Sequence, residues 1–379
     1  MVRRQWYSCH QRLWQQRGGR RWWRNIVNES VSWPSMKYIV SQSGEWHWPV
    51  HHISCTLHSC TSYFIFSSFC LSCNYCTWCI VRGADFRPAY KRSTSLRGVF
   101  TDAVCVALSA TVTEDIYSDV VISLHLCVDN TSVIALPPDR PNVYLDVISH
   151  SCMTLERDLE WLALAVESQQ QRCPKTVIFC KSINAVADVY EWLVDRLGEK
   201  AFVQGAHSNY NRLVSVFHAH ISDNLRQYVM TEFRKPQSII RLVIATVAFG
   251  LGIEIPDIAV VIHWGKLSSV MTYWQQIGRC GRDGTPARAV WYAKSVVCGK
   301  DTDIAKQIKA QSVCVRQTVL DAFALSVAPS SRVKLSDKRV NCQATTKCDS
   351  CTCAYCTCCS HCRRQCRCRR FSDLTDAEQ

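Results

Sequence analysis

The chain has 379 residues, with 44 Lys plus Arg, 31 Asp plus Glu, 25 Cys and 13 Trp. At ~150 residues per domain this is about two or three domains, long enough to bury a core, and the 47% hydrophobic content excludes a wholly disordered chain. The net charge of +13 suits a polyanionic partner, but it sits at the ends: residues 1–80 hold 8 Lys/Arg against 2 Asp/Glu, 331–379 hold 10 against 5, and 81–330 hold 26 against 24.

Met1 to Arg24 carries seven Arg and no acid, interleaved with Trp6, Trp14, Trp22 and Trp23. Such a stretch suits phosphate contacts and base stacking. It is also Arg-rich and acid-poor like a transit peptide, although four Trp are foreign to one, and no secretory apolar region follows. Cys55 to Val81 lacks Asp, Glu, Lys and Arg, but Ser, Thr, Asn and His interrupt it, so no membrane span is expected. Cys70, Cys73, Cys76 and Cys79 have spacing open to a metal or an iron–sulfur cluster. The competing reading, which we prefer, is an accident of a Cys- and Ser-rich stretch. Residues 1–80 sustain no helical or strand period and are expected not to fold.

From residue 81 the texture changes. Val104 to Leu108 reads as a strand ending in Ser109-Ala110-Thr111, and Thr113-Glu114-Asp115 opens a helix. Ser132 to Leu136 and Asn142 to Val147 read as strands, and Leu155 to Gln171 as a helix. Thr176 to Cys180 is a strand of the buried type. Ser182 caps a helix whose face is Ile183, Val186, Val189, Trp192 or Leu193, and Leu197, with Gly198 ending it. A helix over Asp223 to Arg234 and a strand over Ile239 to Thr246 follow, then a turn containing Gly250 and Gly252. Ile258 to His263 is a strand and Ser268 to Gly278 a helix with Val270, Tyr273, Trp274 and Ile277 on one side. Ala289 to Ala293 is a strand, and Ser312 to Leu325 a helix. Strands alternating with helices predict a doubly wound α/β domain with a parallel sheet, its ligands at the carboxyl ends of the strands.

Two segments carry chemistry. Gln275-Gln-Ile-Gly-Arg-Cys-Gly-Arg-Asp-Gly284 places Arg279 and Arg282 one helical step apart at a helix end, where a guanidinium fork suits phosphate oxygens. Thr246-Val-Ala-Phe-Gly-Leu-Gly-Ile-Glu254 follows a strand with glycines open to phosphate and a carboxylate within reach of a ribose hydroxyl. With Ala107-Leu-Ser-Ala-Thr111, Asp139-Arg-Pro-Asn142 and Thr176-Val-Ile-Phe-Cys-Lys-Ser182, these segments resemble, in order, the motifs of superfamily 2 helicases, nearest to the RecQ family of 3′–5′ DNA helicases. Gly83-Ala-Asp-Phe-Arg-Pro-Ala-Tyr90 resembles that family's aromatic loop. The resemblance covers about Gly83 to Lys294.

The resemblance implies ATP and Mg²⁺ as cofactors, DNA unwinding in recombination and repair, and a nuclear location. It makes Arg282 the arginine finger, Arg279 its partner at the phosphates and Gln275 a coupling residue. It puts Gly250, Gly252 and Glu254 near the nucleotide, has Ser109 and Thr111 link ATP state to domain movement, and turns Phe86, Arg87 and Thr246 toward single-stranded or forked DNA. The chain departs from the pattern in several places. No G-x-x-x-x-G-K-[S/T] and no Asp-Glu-x-His occurs in it. Arg82 stands at the aromatic loop's usual Trp, His220 at a usual Gly, and Gln276 at a usual acid. As written, the chain is expected to hydrolyse ATP negligibly, because the β- and γ-phosphates, Mg²⁺ and attacking water lack their holders. The join near Val81–Arg82 is expected to mark a truncated gene or a misassigned start.

RecQ proteins often carry a zinc subdomain after the motor. The resemblance favours Cys314, Cys342, Cys348 and Cys351 as a tetrahedral Zn²⁺ set, while Cys353, Cys356, Cys358, Cys359, Cys362, Cys366 and Cys368 offer alternatives. Arg363, Arg364, Arg367, Arg369 and Arg370 are suited to DNA phosphates or a nuclear signal. The expected organisation is an unfolded Cys/Trp/Arg-rich segment (1–80), the C-terminal part of a first RecA-like domain (81–168), a nearly complete second one (169–297) and a helical, Cys-rich zinc-binding tail (298–379). Three functions compete: a RecQ-like helicase, a non-catalytic module that binds nucleic acid and zinc, and a metal- or membrane-associated protein acting through its flanks.

Overall fold

The structure is a computed structural model. It describes strand segments 38–42, 52–57, 60–65 and 70–73, most of 104–335 (except 110, 128, 130, 150–152, 204–207, 209, 251–254, 294–301, 311 and 334), and 357–366.

A first six-stranded sheet has the order β2-β3-β4-β5-β1-β6. Its strands are β1 (Tyr38–Gln42), β2 (His52–Leu57), β3 (Cys60–Ile65), β4 (Cys70–Cys73), β5 (Val104–Ser109) and β6 (Thr131–Ala135). β1 lies antiparallel between β5 and β6. Segments 38–42, 52–57, 60–65 and 70–73 of the stretch 1–80, which was expected not to fold, thus lie in this sheet. The strands from that region are short and joined by backbone ladders, which need no amphipathic period. Cys70 and Cys73 fall in β4, and Cys76 and Cys79 lie outside the described residues. Helix α1 (Glu114–Ser123) follows β5 and buries Ile116, Tyr117 and Val120.

The second sheet is entirely parallel, in the order β7-β12-β11-β8-β10-β9. Its strands are β7 (Val143–Ser149), β8 (Lys175–Cys180), β9 (Val214–Phe217), β10 (Leu242–Ala245), β11 (Ile258–Trp264) and β12 (Ala287–Ala293). β7 pairs with β12 over seven positions, so residues 143–149, expected within the first unit, lie in the second sheet. An all-parallel sheet buries both faces, and alternate residues of one strand feed two cores. Val177 and Phe179 of β8 join one core, and Ile178 and Cys180 join the other.

Helices α2 (Leu155–Gln169) and α3 (Ile183–Leu197) cover one face. Ser182 caps α3 by accepting from the Ala185 N–H, and the buried stripe is Val186, Val189, Leu193 and Leu197. Leu193, not Trp192, completes that stripe, and Ile183 sits exposed at the helix start. The opposite core takes in Val229 of α4 (Asp223–Glu232) and the apolar side of α5 (Val270–Ile277). It also takes in Ile308 of α6 (Thr302–Ala310) and Val315 and Val319 of α7 (Val315–Asp321). The last described helix is α8 (Ser360–Gln365). Among the described residues no helix is long and apolar enough to cross a membrane.

At the start of β8, Lys175 is 2% exposed. Its ammonium donates to the carbonyls of Phe233 (2.9 Å) and Lys235 (2.6 Å) and pairs with Asp257 at 2.8 Å. These bonds tie the end of α4 and the approach to β11 under β8. Lys175→Met keeps the stem but strands two carbonyls and a carboxylate. It is expected to lower stability by about 2–4 kcal/mol in urea unfolding, and a loss below about 0.5 kcal/mol contradicts this role.

Candidate functional site

Helix α5 begins where Ser269 Oγ accepts from the Thr272 N–H at 3.0 Å. Val270, Tyr273, Trp274 and Ile277 face the core, which leaves Gln275 free to turn to the first unit. Gln275 Nε2 donates to Thr111 Oγ1 at 2.8 Å. Thr111 is buried, and Ser109 Oγ donates to its carbonyl at 3.0 Å. The structure therefore joins three residues that sequence reading assigned to coupling.

α5 ends at Gly278, and the chain turns through Arg279, Cys280, Gly281 and Arg282. Arg282 Nε donates back to the Gly278 carbonyl at 3.2 Å, and the Arg279 amide to the Gln276 carbonyl at 3.0 Å. Both arginines are half-buried. The loop is gripped by the turn at Asp139–Asn142. Arg140 donates to the carbonyls of Gly278 (3.5 Å), Cys280 (3.2 Å) and Gly281 (2.7 Å). Asn142 Nδ2 donates to the carbonyls of Gly281 and Thr285, each at 2.8 Å. Trp274 Nε1 adds a bond to the Pro138 carbonyl at 2.8 Å. Burial pushes the Cys280 thiol up to about 12, so it stays neutral between the two arginines.

Inside the same helix, Gln276 Oε1 meets His263 Nε2 at 2.9 Å. The imidazole is fully enclosed, with Phe179 stacked at 5.6 Å and Tyr273 edge-on at 4.8 Å. Desolvation pulls its pKa down to about 3, and the Gln276 hydrogen bond offsets this only in part.

Thr246 is half-buried at the carboxyl end of β10, its amide on the Phe217 carbonyl at 3.2 Å. Gly250 closes the single turn Val247–Gly250. Phe86, Arg87, Gly252 and Glu254 lie outside the described residues.

A second cluster lies behind this loop. Cys314, Cys358, Cys359 and Cys362 bring their sulfurs within 4.8 Å of one another. Cys314 Sγ is 3.7 Å from Cys358 Sγ and 3.9 Å from Cys359 Sγ. Four sulfurs around a tetrahedral ion with bonds of about 2.3 Å stand about 3.8 Å apart, so this set fits Zn²⁺. The Gln317 amide donates to Cys314 Sγ at 3.4 Å, a bond that favours thiolate. The favoured set shares only Cys314 with this cluster, and Cys342, Cys348 and Cys351 lie outside the described residues. The signal for the observed set was the Cys359-x-x-Cys362 pair, outnumbered in so Cys-dense a tail. Among the described residues no other group of three or more His, Cys, Asp or Glu side chains gathers.

Residues 157–284 match the model of the helicase conserved C-terminal domain. The chain is 33% identical over 221 residues to ATP-dependent helicase wrn-1 of Caenorhabditis elegans, covering 56% of this chain and 19% of that protein. It is 29% identical over 219 residues to ATP-dependent DNA helicase Q-like 2 of Arabidopsis thaliana, covering 57% and 28%. It is 30% identical over 210 residues to ATP-dependent DNA helicase RecQ of Haemophilus influenzae, covering 55% and 30%. The chain thus spans between 19% and 30% of the length of these curated relatives.

Two outcomes follow from this geometry. Gly281 has φ +58°, and a Cβ there would sit 2.5 Å from Asn142 Nδ2, whereas Gly284 has φ +84° and open space. Gly281→Ala is expected to cost about 2–4 kcal/mol and Gly284→Ala about 1 kcal/mol in urea unfolding, and equal costs would remove the clamp from the account. His263 is neutral when folded, with its pKa lowered below the unfolded value of about 6.5. Its contribution is therefore complete above that value and is lost as pH falls toward about 3. The unfolding midpoint of the wild type is expected to drop more steeply than that of His263→Asn between those limits, and parallel profiles would refute this.

Proposed function

We propose, from the premise that this is a RecQ-like helicase chain of superfamily 2, that it supplies the second motor half of an ATP-dependent 3′–5′ DNA helicase for recombination and repair. We further propose that these 379 residues on their own bind single-stranded or forked DNA and turn over ATP negligibly. The observation that carries the reading is the Gln275–Thr111 hydrogen bond of 2.8 Å. It connects the helix bearing the arginine loop to the strand-end turn of the first unit, where a motor senses its nucleotide.

In this reading Arg282 stabilises charge on the transferring phosphate and Arg279 holds its neighbour. Gln275 and Thr111, backed by Ser109, pass the presence of nucleotide between the units. Gly250, Gly252 and Glu254 border the nucleotide, and Phe86, Arg87 and Thr246 line the DNA path. The sequence holds no Asp-Glu-x-His to carry Mg²⁺, which is why turnover by these residues alone is proposed to be negligible. Cys314, Cys358, Cys359 and Cys362 would hold one Zn²⁺, whose role is structural. The arginine run that begins at Arg363 suits DNA phosphates and a nuclear address.

DNA binding and turnover separate the readings. Labelled single-stranded DNA is expected to bind with an affinity that falls as salt rises, while ATP hydrolysis stays at background with or without DNA. DNA-stimulated hydrolysis that Arg282→Ala abolishes would overturn the inactive reading, and salt-independent or absent DNA binding would overturn the binding one.

A further inference from the structure

Arg316 lies two residues after Cys314, in the first turn of α7, and is 3% exposed. One guanidinium nitrogen donates to Asp139 Oδ1 at 2.8 Å and to the Arg140 carbonyl at 2.7 Å. The other donates to the Val143 carbonyl and, at 3.3 Å, to the Cys358 carbonyl. The same side chain therefore touches the turn that grips the arginine loop and the backbone of a cluster cysteine. The Leu145 amide also donates to that Cys358 carbonyl, at 3.2 Å, so Cys358 is fixed against β7 as well.

We propose that Arg316 is a positioning residue that transmits the state of the four-thiol cluster to the loop carrying Arg279 and Arg282. The proposal rests on the metal reading given above. A cation at the cluster draws Cys314 and Cys358 to set places, and both flank Arg316: one two residues before it in sequence, the other through its carbonyl. A buried guanidinium holds its acceptors by direction as well as by charge, so fixing Cys314 and Cys358 fixes Asp139 and the Arg140 backbone. Arg140 and Asn142 then carry the order onward, with their side chains on the carbonyls of Gly278, Cys280, Gly281 and Thr285. Apart from the peptide links from Cys314 to Arg316 and within 139–142, every link is a hydrogen bond between named atoms, a contiguous network of the kind that carries coupling. Lysine cannot replace the fork, because its ammonium is a point donor on a flexible stem.

The test is amide hydrogen exchange on the full chain, with zinc content measured on the same samples. Stripping Zn²⁺ with a chelator is expected to speed exchange across 278–287 roughly ten-fold while β8 stays protected. Arg316→Lys is expected to keep one zinc per chain yet show the faster exchange with or without metal. Asp139→Asn, which removes the ionic anchor on the turn, is expected to do the same and replaces Arg316→Lys if that variant does not fold. Removal of zinc without a change across 278–287 overturns the relay alone. So does an Arg316→Lys chain whose loop responds to zinc like the wild type. A wild-type chain that takes up no zinc overturns the metal reading and the relay together.

Discussion

A helix that stops at Gly278 leaves its last carbonyls without helical partners, and the two arginines that follow point usefully only if those carbonyls hold still. The turn Asp139–Asn142 meets this need from more than 130 residues away, through the side chains of Arg140 and Asn142. Charged donors on carbonyls are among the stronger hydrogen bonds, and here one guanidinium converges on the carbonyls of Gly278, Cys280 and Gly281. Gly281 has to lack a side chain because Asn142 occupies the space a Cβ would fill. Arg316 in turn braces the clamp from behind.

The parallel sheet gives this arrangement its place. Its edge strand β7 starts right after the turn, so the register of β7 against β12 also sets where Asn142 lies relative to Ala287. An open strand edge invites unwanted pairing. Here the segment at Cys358–Ser360 covers part of it: Cys358 accepts from the Leu145 amide, and Ser360 Oγ from the Val147 amide at 3.3 Å. The cysteine cluster is thus integrated with the sheet. The segment after α7 reaches the first unit too, where the Ser326 amide donates to Glu114 at 2.9 Å and Ser330 to the Ala135 carbonyl at 2.8 Å.

Most of the second sheet was legible because its strands are β-branched runs and its helices carry caps and apolar stripes. Ser182 and the stripe of α3 are examples, and so are the four core residues of α5. β9 was missed because four residues, Val214–Phe217, are too short to show a period. α6 was missed although it is amphipathic and Asp301 and Thr302 are residue types that cap helices. β7 was assigned to the first unit because sequence order says nothing of which sheet an edge strand joins. In the candidate site, residue types and spacing marked Arg279 and Arg282, and the family resemblance marked Gln275. The supports Arg140, Asn142 and Arg316 were not legible as supports, because their partners are backbone carbonyls, which carry no sequence signature. Nor did the chain reveal which cysteines gather, since ten of them compete within 342–368.

The clamp acts as one unit only if its two arginines depend on each other. A double-mutant cycle in urea unfolding with Arg140→Ala and Arg316→Lys tests this most directly. A coupling of at least about 1 kcal/mol is expected, because a turn released by the second change gives Arg140 little left to hold. Costs that add to within about 0.3 kcal/mol would mean two independent contacts and would contradict the account.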